Sequence, residues 1–144
     1  MSHLLDTTEY LDTVCQLLQE GHRNVTVPVT GGSMVPFLHS GDTAYLDPLP
    51  KKLRRGDIVL YRRRNGDYVL HRIFKIRRDG SYLMAGDAQE RIEILPSRAQ
   101  IHGIVGAVRH KDQLITPKHF YWQIYRHLWL FLLPVRHWLM ALKK

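Results

Sequence analysis

Ser33, His71 and the carboxylates near residue 90 are the groups in this 144-residue chain whose types suit acyl transfer. That chemistry needs a hydroxyl nucleophile, a neutral imidazole to take its proton, and a carboxylate to orient the imidazole. Ser33 follows Gly31 and Gly32, precedes Met34 and Pro36, and is followed by the Gly41-Asp42 turn. The glycines leave room for another chain beside the serine, and Pro36 biases Val35 away from helix, so an exposed hydroxyl on a stiff bend is expected. Taken alone, such a serine is more often a turn residue. His71 lies in Tyr-Val-Leu-His-Arg-Ile, where an imidazole among apolar neighbours is usually structural. Asp87, Glu90 and Glu93 follow Gly86, in what is otherwise an ordinary solvated turn. Only the three sites together suggest a nucleophile, a base and an orienting acid.

The elements that must position these residues follow from period and punctuation. A helix is predicted over residues 7–20, with Asp6 and Glu9 as a capping box, Gly21 as the C-terminal cap, and Leu11, Val14, Cys15 and Leu18 as one apolar stripe. Cys15 on that stripe reads as a small core residue. From Val25 the period becomes two. Strands are expected at Val25–Val29, Thr43–Leu46, Ile58–Arg62, Tyr68–Ile76, Ser81–Ala85 and Ile101–Val108, separated by Gly-Asp turns and by the hairpin signal Asn65-Gly66-Asp67. The fold class is therefore mainly β, a coiled or barrel-like domain over 25–108. It is preceded by an amphipathic helical segment (1–24) and followed by a basic, aromatic helical segment (109–144).

The strings GGSMVPFLHSGD, RRGDIVLYR, YVLHRI and YLMAGDAQ, in that order and at these spacings, resemble the successive boxes of signal peptidase I enzymes. The similarity is greatest to the branch of the endoplasmic reticulum, archaea and some Gram-positive bacteria, where histidine replaces the lysine base. It covers about residues 25–108. The resemblance implies Ser33 as nucleophile, His71 as general base, and either Asp87 or Glu93 as the acid, with Asp42 and Asp57 structural. It places Gly32, Ser33 and Met34 at the oxyanion and substrate-binding turn. It also implies a preference for small side chains at positions −1 and −3 of a leader or signal-type peptide bound as an added strand. Three departures stand out. Gly31 replaces a frequent serine, which leaves the Ser33 N–H as main oxyanion donor; the tail of the last box reads AQERIE; and no N-terminal transmembrane helix is present.

Composition sets the remaining bounds. With 44% hydrophobic and 24% charged residues the chain is globular, and a single cysteine excludes an internal disulfide framework. The nine histidines form no HExxH or zinc-type Cys/His spacing, so neither metal nor cofactor is assigned. Residues 109–144 carry seven Lys/Arg against one acid. Trp122, Trp129 and Trp138 beside basic residues suit an interfacial membrane helix, ahead of a helix packed on the domain and of a spanning hairpin. With no signal peptide, the expected location is the cytoplasm or the cytoplasmic face of a membrane. Eleven Lys/Arg in residues 51–78, with Tyr61, Tyr68 and Phe74 interleaved, read as a solvated strand face, and nucleic acid is a disfavoured partner. A self-cleaving repressor relative, using Ser and Lys, is disfavoured because no helix-turn-helix precedes residue 25. A catalytically silent peptide-binding or membrane-docking module is the other reading. For the enzyme, an unperturbed histidine base with a pKa of about 6.5 predicts activity rising between roughly pH 5.5 and 7.5.

Overall fold

The computed structural model describes residues 2–32, 34, 37–86, 92–95 and 97–129. Helix α1 spans Ser2–Gln19 and so begins five residues before the expected start. Its C-terminus closes as a Schellman pair, Gly21 N–H donating to the Leu18 carbonyl and His22 N–H to that of Leu17, each at 3.0 Å. The apolar stripe packs as its spacing requires: Val14 and Leu18 are buried, and Leu11 and Cys15 are half-buried against the same cluster.

Eight strands follow among the described residues: β1 (Val25–Pro28), β2 (Thr43–Asp47), β3 (Ile58–Arg62), β4 (Tyr68–Ile76), β5 (Tyr82–Ala85), β6 (Glu93–Leu95), β7 (Ile101–His110) and β8 (Gln113–Ile115). They form one antiparallel sheet in the order β1-β2-β7-β3-β4-β5-β6, with β8 paired to the far end of β7. The six expected strands are all present. Strands β6 and β8 were not anticipated, being three residues each with no alternation long enough to read. The β3–β4 register is set by its turn, where Arg63 N–H donates to the Asp67 carbonyl (2.8 Å) and Asp67 N–H to the Asn65 side chain (3.0 Å). This aligns Val59 with His71 and Tyr61 with Val69.

Two apolar clusters sandwich the middle of the sheet. Ile58 and Leu60 of β3 enter one with Met34, Phe37, Leu38 and Trp122. Val59 and Tyr61 enter the other with Ile73, Met84 and Leu95. Strand β3 is therefore buried on both faces, which explains its unbroken apolar run. The expected two-faced alternation of aromatics and arginines fails in β4. Arg72 is fully buried, donating to the Gly56 carbonyl at 2.9 Å with its guanidinium over the Phe37 ring.

The C-terminal segment begins with a short helix α2 (Phe120–Ile124) continued by a π turn, Tyr125–Trp129. Trp122 is buried edge-on against Phe37, with ring centroids 5.1 Å apart, and Arg126 pairs with Asp57 at 2.7 Å. This part of the segment is packed on the domain. Residues 130–144, with Trp138 and Pro134, lie outside the described residues. No helix among the described residues is long and apolar enough to cross a membrane.

Candidate active site

The site is built on the second and third boxes, which supply Tyr61 and His71. His71 occupies β4 and is 2% exposed. Its Nδ1 lies 3.2 Å from the Tyr61 hydroxyl, which in turn donates to Glu93 Oε2 at 3.1 Å. The register explains the first contact: Tyr61 is two residues along from Val59, the residue opposite His71, so the two rings are diagonal neighbours on one face. Glu93 reaches the same face from β6, opposite Met84, which is itself opposite Ile73. Arg63, just past the end of β3, completes the chain by a two-point ion pair with Glu93, its Nε donating to Oε2 at 3.1 Å and its Nη2 to Oε1.

Donor counting fixes the tautomer. The Tyr61 hydroxyl has one proton, and Glu93 takes it, so the contact with His71 requires a proton on Nδ1. Nε2 then carries the free lone pair, as a general base requires. Burial drives the His71 pKa down to about 4; the nearby Glu93 carboxylate opposes that shift and Arg63 adds to it. The imidazole is therefore neutral throughout the neutral range. This corrects the expectation of an unperturbed imidazole. Glu93 loses hydration, but its bonds from Arg63 and Tyr61 outweigh that and hold its carboxyl below the usual range. Tyr61, buried and beside a carboxylate, has its pKa raised and stays a phenol.

Of the expected site residues, the structure links His71 and Glu93, through Tyr61 rather than directly. Ser33 and Asp87 lie outside the described residues. Gly32 is exposed and Met34 is buried in the core, so the turn is anchored directly after the serine. Asp42 and Asp57 are structural, as expected. Asp42 accepts from His39 N–H (2.9 Å) and Asp57 from Arg54 N–H (2.7 Å). Tyr61 and Arg63 were missed, although the hairpin signal at Asn65-Gly66 carried the register that sets Tyr61 diagonal to His71.

On the other face of β3, toward the cluster that holds Leu60 and Met34, lies a groove of about 150 Å³. Val27 to Gly31 form one wall and Tyr68 to Leu70 the other, with Met34, Leu60 and Leu11 below and at the side. Both walls are open strand edges among the described residues. Strand β1 pairs only with β2, and β4 does not meet β5 until Arg72. The groove is thus bordered by residues adjoining both Ser33 and His71 in the chain.

The model of the peptidase S24-like family matches residues 2–109. The chain belongs to the peptidase S24-like family. Comparison with curated proteins and with solved structures returned no match. An S24-like chain carries a peptidase-like fold, and the family includes autocleaving and non-catalytic members as well as peptidases. The match also covers α1, which the motifs alone left out.

Proposed function

We propose that this S24-like chain is a serine endopeptidase of the signal peptidase I type, cutting leader or signal-type peptides with Ser33 and His71. The observation that carries this reading is the held imidazole. A buried, neutral histidine whose Nδ1–H is taken up by Tyr61 has Nε2 left as the base. In the proposed reaction Ser33 Oγ attacks the substrate carbonyl while His71 Nε2 accepts its proton, and the Ser33 N–H supports the oxyanion. The proton then passes to the leaving amine, and a water, deprotonated by the same nitrogen, releases the acyl-enzyme. Glu93 acts as the remote acid of the site through Tyr61; Asp87 is the alternative.

The groove supports a substrate bound as an extended strand, since two open edges offer their N–H and C=O groups to it. A cavity of about 150 Å³ holds a benzene-sized group, so small side chains at −1 and −3 suit it. Membrane-surface contact by the C-terminal segment, with the enzyme at the cytoplasmic face, remains part of the proposal; the exposed Phe120 ring supports it. Co-sedimentation with anionic vesicles tests that part.

The deciding experiment is digestion of a diverse peptide library read by mass spectrometry, with Ser33→Ala and His71→Ala in parallel. Cuts absent from both variants support the dyad and give the −1 and −3 preferences. Peptide binding without any cuts by the folded wild type overturns the peptidase and establishes the silent binding module.

A further inference from the structure

We infer that His39, Asp42 and His110 form a binding site for a divalent transition ion such as Zn²⁺, which ties the Ser33 loop to the β7–β8 hairpin. One ligand atom from each of the three lies within 4.8 Å of the others. His110 Nδ1 is 2.5 Å from Asp42 Oδ1, and His39 Nδ1 is 3.9 Å from Asp42 Oδ2. The two imidazoles lie 5.0 Å apart, centroid to centroid. His39 Nδ1 is the independent sign of a ligand: although the side chain is 45% exposed, this atom is covered and has no hydrogen-bond partner, alone in this among the described side chains. A buried polar atom without a partner is rare unless a water or an ion satisfies it. An ion would take the place of the proton between His110 and Asp42 and give His39 its missing partner.

The donor set selects the ion class. Two imidazole nitrogens and one carboxylate suit Zn²⁺ and its neighbours, whereas Mg²⁺ and Ca²⁺ want oxygen ligands. The second oxygen of Asp42 already accepts the His39 N–H at 2.9 Å, the kind of bond that orients a ligating carboxylate. A cavity of about 380 Å³, lined by His39, His110 and His119, adjoins the cluster and leaves room for water ligands. The site closes the base of the serine loop, because Asp42 also accepts from Val29 N–H through its carbonyl (2.9 Å). The inference does not depend on the peptidase reading, and it does not use His71.

The test is titration of the full chain with Zn²⁺ and with Co²⁺ alone, read by calorimetry, cobalt absorption and thermal unfolding. One equivalent should bind and raise the Tm, while Mg²⁺ should not. His39→Ala and His110→Ala should each weaken binding by at least about 10-fold, while His22→Ala and His127→Ala should leave it intact. Thermal unfolding of each variant without metal confirms that it is folded. Binding equal in all four variants, or no saturable binding by about 100 μM metal, overturns the site. If the peptidase proposal failed, these binding and Tm readouts would be unaffected.

Discussion

The Tyr61 hydroxyl lies between His71 Nδ1 and the Glu93 carboxylate, 3.2 Å from one and 3.1 Å from the other. The imidazole is therefore oriented by a neutral phenol, and the carboxylate acts one bond further away. Tyr61→Phe keeps the ring that fills the core and removes only that link. The expected loss is about 0.5–1.5 kcal/mol, or about 2- to 13-fold in kcat with KM unchanged. A purely structural Tyr61 would lower stability and leave kcat alone. Combining it with Glu93→Gln should cost less than the two losses added, since both act through one chain of bonds.

Burial of His71 predicts the pH profile. With its pKa driven down to about 4, kcat/KM should rise through about pH 4 and be flat across the neutral range. Stability follows with the same sign. Between about pH 6.5 and 4 the unfolded chain binds the proton and the folded one does not, so acid favours unfolding by up to about 3 kcal/mol. Urea unfolding of wild type and His71→Gln at a series of pH values checks this. The variant should lack the decline between pH 6.5 and 4, and equal pH dependence in both would contradict it.

Trp122 is 2% exposed and packs edge-on against Phe37 of the serine loop. Trp122→Ala should lower stability by about 3–5 kcal/mol, measured by chemical unfolding. Phe37 would lose that ring contact, and peptidase activity at temperatures where the variant is still folded should fall as well.

Gly56 has φ +94°, and a Cβ there would lie 2.5 Å from Arg126 Cγ and 3.0 Å from its carbonyl oxygen. Gly56→Ala therefore meets both backbone strain and a packed side chain. It should cost more than about 1 kcal/mol and disturb the Arg126–Asp57 pair. A double-mutant cycle with Arg126→Ala, read by unfolding, should show coupling between the positions.

The strands that carry the site were legible because Gly-Asp turns and period-two runs mark them. The Asn65-Gly66 turn even carried the register that sets Tyr61 diagonal to His71. The role of Tyr61 was missed because alternation assigned it to a strand face, and the burial of both faces of β3 is a tertiary fact. Arg72 was expected in solvent for the same reason, yet it lies under Phe37. Glu93 was one of two open choices, since β6 is too short to announce itself and its partner Met84 shows only in the assembled sheet. His39 and His110 stand 71 positions apart, so no spacing rule could have joined them.

The contact between Phe37 and Trp122 also sets an order of events during synthesis. The two residues are 85 positions apart, and a ribosome adding about 5–20 residues per second needs about 4–17 s to make the second after the first. Until then the ring beside the serine turn faces solvent, and the buried Arg72 lacks a sealed apolar roof. The nascent chain can pair its early strands, but it cannot lock that turn until Trp122 has left the exit tunnel.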